Sequence, residues 1–225
     1  MSRAAKAKSR TRSIVDPDPK RALLVLKRLK KEFPEAKCAL EHDTPHQLLA
    51  ATILSAQCTD KRVNLVTEDL FRKYPDAAAF AAARPSQMEK DVKSTGFFRM
   101  KARALVEMSQ DVLAKHGGEV PRTMEELTAL RGVGRKTANV VLGNAFGIPG
   151  VVVDTHVKRL SNRLGFTEQQ DPVKIERELG ELFPKRWWTI SSHLLILHGR
   201  KTCAARKPKC AACSVRGLCP SADSF

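Results

Sequence analysis

The chain has 225 residues, of which 42% are hydrophobic, and this is enough for one or two compact domains with apolar cores. Its 40 Lys and Arg residues outnumber its 24 Asp and Glu residues, which gives a formal net charge of +16. This composition argues against an acidic protein and indicates a polyanionic partner, because phosphates neutralised by basic side chains release condensed counterions. Nucleic acid is favoured over a ribosome-associated or membrane-surface role.

The sequence contains no apolar run long enough for a membrane span or for the core of a signal peptide. We therefore expect a soluble cytoplasmic protein, nucleoid-associated if it is bacterial. Residues 1–19 are predicted to form a basic flexible tail, because residues 2–13 contain several basic and serine residues but no acid. A tail that contacts nucleic acid is favoured over an organelle transit peptide, since the segment is short and has no apolar face.

Helical periodicity and capping residues predict a succession of helices after this tail. The expected segments are Lys20–Phe33, a helix that opens at Thr44-Pro45, a helix from Thr59-Asp60 to about Tyr74, then Asp76–Ala83, Ser86–Lys93, Met100–His116 and Thr123–Leu130. No alternating strand pattern is present, and the longest β-branched run is Val151–Val153. The predicted fold class is therefore all-α.

The turn Gly132-Val133-Gly134 separates two of these helical segments and predicts a helix, a tight hairpin and a second helix. The start of such a second helix leaves free backbone N–H groups that favour an anion. Lys136 lies one turn into the second helix, and Asp154 follows the three valines at a predicted N-cap. Taken singly, Lys136 could be a phosphate-contacting or solvated lysine and Asp154 a plain cap.

GVGRKTANVVL at residues 132–142 and VDTHVKR at residues 153–159 resemble the helix-hairpin-helix and Gly/Pro-Asp signature of DNA glycosylases, in particular the endonuclease III family. The resemblance implies a bifunctional DNA glycosylase and AP lyase of base excision repair, which removes oxidised pyrimidines and nicks abasic sites by β-elimination. It assigns Lys136 as the nucleophile that forms a Schiff base and Asp154 as its essential partner. The expected partner is damaged double-stranded DNA, bound by a monomer.

The same resemblance implies a two-domain architecture. A six-helix barrel with the helix-hairpin-helix is expected at residues 39–147, and an iron–sulfur cluster domain is expected from residues 20–38 together with residues 148–225. DNA would lie in the cleft between them. Periodicity alone does not predict this arrangement.

Further DNA contacts are expected by analogy with the family. The stretch Leu54–Asp60, LSAQCTD, resembles a family motif in which the glutamine, here Gln57, fills the hole left by the extruded nucleotide. Phe97 occupies a loop where the family commonly carries a wedging leucine, and a core position is the alternative for this aromatic side chain. The hairpin residues Gly132, Val133, Gly134 and Arg135 are expected to contact phosphates.

Four cysteines near the C-terminus are spaced as Cys-x6-Cys-x2-Cys-x5-Cys: Cys203, Cys210, Cys213 and Cys219. A disulfide framework is not expected in a chain without export signals, and four thiolates suit either zinc or a [4Fe-4S] cluster. The resemblance to the endonuclease III family selects the [4Fe-4S] cluster. The loop between the first two cysteines is expected to dock phosphates through Arg206, Lys207 and Lys209.

The remaining cysteines, Cys38 and Cys58, are predicted to be buried in helical regions. Two other functions remain open at this point. A monofunctional adenine-mismatch glycosylase would share the hairpin, the aspartate and the cluster but usually lacks the lysine at position 136. A non-catalytic helix-hairpin-helix module would only bind DNA phosphates.

Overall fold

The structure is a computed structural model that describes residues 17–222 and 224, so most of the predicted tail lies outside the described residues. Within those residues, eleven α-helices are joined by turns and loops without a β-strand. In chain order they are α1 (Pro19–Glu32), α2 (Pro45–Leu54), α3 (Asp60–Lys73), α4 (Ala77–Ala81), α5 (Pro85–Asp91), α6 (Phe98–His116), α7 (Met124–Ala129), α8 (Arg135–Ala145), α9 (Thr155–Arg163), α10 (Pro172–Leu182) and α11 (Trp188–Lys201). The predicted all-α class is confirmed.

Short polar side chains set most of the helix starts. The side chains of Asp18, Thr44, Thr59, Asp76 and Thr123 each accept a hydrogen bond from a backbone N–H in the first turn of the helix that follows. These bonds satisfy amides that have no partner within the helix. The predicted boundaries are therefore close to the observed ones.

Helix α10 was not among the predicted elements, although its start signal is present in the sequence. Asp171 accepts hydrogen bonds from the N–H groups of Val173 and Lys174, and Pro172 occupies the first helical position. Proline is well suited to that position because its fixed φ is already helical and its missing N–H would have no helical partner.

The buried apolar side chains form two separate clusters. The first, here called the barrel core, is built by α2 to α8. The second, here called the terminal core, combines α1 with α9, α10, α11 and the cysteine-rich segment. Helix α2 lies at the centre of the barrel core, since every residue from His46 to Leu54 is buried, as its nearly uniform apolar sequence predicts. The division into two helical units is observed, whereas the domain boundaries themselves stay a prediction.

The linker from Phe146 to Val153, which joins α8 to α9, carries the chain from one core to the other. The Asn139 side chain on α8 donates to the carbonyl of Val151 over 3.2 Å, and the N–H of Val152 donates to Ser192 Oγ on α11 over 2.9 Å. Gly150 packs directly against Asn139, and a Cβ at that position would clash with the amide. The linker is therefore fixed to helices of both cores.

Candidate active site

A cleft of about 710 Å³ opens between the two cores. The end of α2, the start of α3 and the first half of α8 line one side, while the linker, α9 and α11 line the other. Three of the predicted site residues, Gln57, Lys136 and Asp154, line this same cleft. Residues that are far apart in sequence thus share one solvent-accessible surface.

Lys136 is exposed in the first turn of α8, on the barrel-core side of the cleft. The N-cap of α8 is Gly134, so no side chain caps the first amides of this helix. Uncapped amides at a helix N-terminus can bind an anion, and the helix dipole adds to that attraction. The lysine therefore lies beside a position suited to a DNA phosphate.

Asp154 is half-buried at the N-cap of α9, on the terminal-core side. Its Oδ1 accepts a 2.8 Å hydrogen bond from the N–H of Val157. The bond fixes the carboxylate at the end of the linker described above. Since that linker is attached to α8 through Asn139, it also restricts the movement of Asp154 relative to Lys136.

Two ion pairs join the cores near this cleft. Arg135, at the start of α8, donates to both carboxylate oxygens of Glu176 on α10 over 2.8 Å each. Arg200 on α11 pairs with Asp60 at the start of α3 over 2.8 Å. Arg135 was predicted to contact DNA, and in this structure its guanidinium holds the hairpin against the terminal core.

His156 also lines the cleft, in the first turn of α9. Burial lowers the pKa of its imidazole, and the neighbouring carboxylate of Asp154 opposes that shift. Arg159 Nη2 lies 3.2 Å from His156 Nδ1, which fits a neutral ring that accepts the bond.

The two hairpin glycines have different environments. Gly132 has a φ of +76°, and a Cβ placed there would lie 2.8 Å from the Cβ of Ala104 on α6. Gly134 has a φ of −96°, and a Cβ there would meet nothing within 4 Å. Val133 between them has a buried side chain, and its N–H donates to the carbonyl of Leu130. Any contact of Val133 with DNA would therefore involve its backbone.

This difference leads to a matched pair of substitutions. Gly132→Ala is expected to lower the free energy of unfolding by about 1–3 kcal/mol, because it adds both backbone strain and a clash with α6. Gly134→Ala is expected to cost less than about 1 kcal/mol, since its φ is ordinary and the space is open. Urea denaturation of both variants measures the difference, and equal losses of stability would contradict the role assigned to Gly132.

Gln57 and Phe97 are both exposed, and both have left-handed backbone conformations, with φ values of 51° and 47°. Phe97 is 62% exposed, so the alternative of a core phenylalanine is wrong. Non-glycine residues rarely adopt this conformation, and it is found most often where the surrounding structure imposes it at functional sites. Their roles in DNA binding stay a prediction.

The four C-terminal cysteines line a single cavity beneath α9 and α11. Arg163 donates to Cys203 Sγ over 3.3 Å and to the carbonyls of Ala204 and Ala205 over 2.8 and 2.9 Å. His198 Nε2 lies 3.5 Å from Cys213 Sγ. The guanidinium donor directed at Cys203 Sγ fits a site in which that sulfur atom is a negatively charged thiolate.

Within residues 17–222 and 224, no three His, Cys, Asp or Glu side chains are grouped so as to hold a single metal ion. The loop between Cys203 and Cys210 exposes its three basic residues, Arg206, Lys207 and Lys209.

The prediction for the other two cysteines was wrong. Cys38 lies in the loop between α1 and α2, and Cys58 lies in the turn between α2 and α3. Both are only half-buried, and both line the cleft. Hydrophobic periodicity could not distinguish these short connecting segments from the helices on either side of them.

Known proteins resemble this chain along most of its length. The model of the HhH-GPD superfamily of base excision DNA repair proteins matches residues 50–185, which is more than half of the chain. An endonuclease III from Synechocystis is 55% identical over 205 residues, which cover 91% of this chain and 94% of the relative. The chain belongs to the endonuclease III family.

The family is also represented by an endonuclease III from Bacillus subtilis, which is 46% identical over 83% of this chain and 86% of its own length. A solved structure of a trapped endonuclease III–DNA covalent intermediate matches with a TM-score of 0.86 and 43% identity, covering 90% of this chain and 95% of the solved one. This endonuclease III family member is a base excision repair enzyme, a DNA glycosylase with AP lyase activity. In the described part of the chain, no helix has the length and apolar character to cross a membrane.

Sequence reasoning missed several residues that shape the site of this endonuclease III family member. Asn139, Ser192 and Lys101 make buried hydrogen bonds to backbone groups of distant segments, and Arg163 makes a part-buried bond to the sulfur of Cys203. The sequence did contain one indication for Lys101 and Arg163, because each is a basic residue on the apolar side of a helix. Charged groups at such positions are rarely buried without partners.

Proposed function

We propose that Lys136 is the nucleophile and Asp154 the acidic partner of a bifunctional glycosylase that excises oxidised pyrimidines from double-stranded DNA. The observation that carries the proposal is the shared cleft: the two cores each contribute one of these side chains to it. A lysine beside an anion-binding helix start and a carboxylate on the opposite wall can act on a nucleotide between them. The protein would work as a monomer in the cytoplasm.

The chemistry begins with extrusion of the damaged nucleotide, because its sugar cannot be reached inside the duplex. The neutral amine of Lys136 attacks C1′ of the sugar, and the bond from C1′ to the damaged base breaks. Ring opening converts the adduct into a Schiff base. Loss of a C2′ proton then breaks the bond from C3′ to the phosphate oxygen, which nicks the strand on the 3′ side.

Asp154 faces the same nucleotide from the terminal core. Its carboxylate stabilises the positive charge that develops on the sugar as the base departs. It also accepts and returns protons during Schiff base formation, which requires an ionisable group. The hydrogen bond from Val157 orients the carboxylate without neutralising it.

The experiment that tests this function is borohydride trapping on duplex DNA that carries one thymine glycol or one abasic site. A covalent adduct together with a nick on the 3′ side is the expected result. Release of the base without an adduct would instead indicate a monofunctional glycosylase. Salt-sensitive binding without either signal would indicate a non-catalytic DNA-binding module.

We also propose that the four cysteines hold a [4Fe-4S] cluster. All four cysteines line one cavity, and Arg163 donates to Cys203 Sγ, so this segment would offer four sulfur ligands to a [4Fe-4S] cluster. The cluster would anchor the loop that carries Arg206, Lys207 and Lys209, where it could dock phosphates. Its role there would be structural.

Replacing Cys213 with Ala is expected to remove the iron and to loosen the segment from Cys203 to Ser221, because ligand binding is coupled to folding. Iron analysis and visible absorbance measure the first effect, and limited proteolysis of the segment measures the second. Cys58→Ala is the matched control, since Cys58 lies outside the cysteine cavity. Full iron content in the Cys213→Ala protein would contradict the assigned ligand set.

A further inference from the structure

Lys101 is a buried lysine whose ammonium group binds the chain where two helical segments end. It lies in the first turn of α6 and is only 5% exposed. Its Nζ donates to the carbonyl of Leu54, the last residue of α2, over 2.8 Å. It also donates to the carbonyl of Thr95, the last residue of the 3-10 turn Lys93–Thr95, over 2.8 Å.

These carbonyls are favourable partners for a cation. The last carbonyls of a helical segment have no partner within the segment, and they carry the negative end of the peptide dipoles. Both bonds go to backbone oxygens, and no carboxylate is involved. Burial lowers the pKa of the Lys101 ammonium, which means that burial disfavours its charged form. The two hydrogen bonds to backbone carbonyls offset this cost.

The two carbonyls that Lys101 binds belong to the segments that lead into Gln57 and Phe97. Gln57 follows Leu54 by three residues, and Phe97 follows Thr95 by two. These two exposed side chains have the left-handed backbone conformations described above. Because non-glycine residues lose stability in that conformation, something must hold each turn in place. The ammonium group of Lys101 binds a backbone carbonyl just before each of these two turns.

We propose that Lys101 is a positioning residue that fixes the spacing of Gln57 and Phe97, so that both side chains enter the DNA together when the damaged nucleotide leaves the helix. Gln57 would fill the gap in the damaged strand while Phe97 inserts beside the unpaired base opposite. The inference rests on the proposed DNA-contacting roles of these two residues. Lys101 itself would touch neither the DNA nor Lys136.

The test uses a duplex in which 2-aminopurine lies opposite a tetrahydrofuran abasic-site analogue, so that binding is measured without any chemistry at Lys136. Wild-type protein is expected to raise the fluorescence as the opposite base unstacks. Lys101→Met keeps the length of the side chain but removes both bonds. We expect it to raise the dissociation constant roughly tenfold and to reduce the fluorescence change, and we expect the same of Gln57→Ala and of Phe97→Ala.

The decisive comparison introduces Lys101→Met into the Gln57→Ala/Phe97→Ala protein. If Lys101 acts through these side chains, its substitution adds no further loss there, because coupled residues are not additive. An additive loss, or a normal response of Lys101→Met in the wild-type background, would overturn the inference. If Gln57→Ala and Phe97→Ala each bind the duplex normally, the proposed DNA contacts of these residues are wrong. The inference about Lys101, which rests on those contacts, would then also be wrong.

Loss of stability alone must be separated from loss of positioning. Met88→Ala truncates a fully buried side chain of the same barrel core and is the matched control. With folding verified by thermal unfolding, it is expected to keep the wild-type fluorescence response. Lys101→Gln retains an amide donor and replaces Lys101→Met if the latter does not fold. A reduced response in Met88→Ala as large as that of the Lys101 variant would overturn the inference.

Discussion

Lys136→Gln is expected to abolish the borohydride-trapped adduct and to slow base release in single turnovers by on the order of a thousandfold. The glutamine amide keeps the length and polarity of the side chain, but its nitrogen lone pair is delocalised and cannot attack C1′. The uncapped start of α8 remains available for a phosphate. Binding to the tetrahydrofuran duplex is therefore expected to weaken by less than roughly tenfold, as for loss of one phosphate contact.

Lys158 provides the control for that experiment. It also lines the cleft, from α9, so Lys158→Gln removes the same charge from the same electrostatic environment. The control protein is expected to form the trapped adduct. An adduct of normal yield in Lys136→Gln would show that Lys136 is not the nucleophile. Loss of the adduct in both variants would indicate that positive charge in the cleft, and not the position of Lys136 alone, controls adduct formation.

Asp154→Asn is expected to lower the single-turnover rate of base excision by roughly 10²- to 10⁴-fold, the range that one positioned acid or base contributes. Asparagine is as good an N-cap as aspartate, so α9 should keep its start while the carboxylate charge is lost. The measurement is excision of thymine glycol at saturating enzyme, together with thermal unfolding. A large fall in stability with little change in rate would make Asp154 a structural cap.

Asp171→Asn is the matched control for this substitution. Asp171 caps α10 in the same way, through hydrogen bonds from Val173 and Lys174, but it lies outside the cleft lining. The control should therefore excise thymine glycol at the wild-type rate. Equal loss of rate in both variants would indicate that overall charge, and not the position of Asp154, controls excision.

Local sequence signals were sufficient for most of the helix starts, and they also pointed to Lys136 and Asp154 as candidate site residues. Capping side chains mark helix starts through contacts within three residues, so Thr44 and Thr59 could be recognised without knowledge of the fold. Lys136 and Asp154 could be singled out because each follows a local pattern, a glycine hairpin and an apolar run. Their shared position in one cleft could not be predicted in this way, because it depends on how the two cores pack together.

The contacts that support the site could not be predicted, because they join segments far apart in sequence. Lys101 bonds to a carbonyl 47 residues away, and the bond between Val152 and Ser192 spans 40 residues. Phe97 is exposed and has a left-handed backbone, and its local sequence predicts neither property. An aromatic residue between two helices is equally compatible with burial when only the sequence is known.

The composition of the terminal core also determines when the protein can complete its fold during synthesis. The barrel core is formed by one continuous stretch of chain, α2 to α8, and can fold as soon as that stretch leaves the ribosome. Helix α1 is made first, yet Ala22, Val25, Leu26 and Leu29 are buried against helices made last. Its apolar face therefore has no native partner until the last helices have been made, so the terminal core can form only near the end of synthesis.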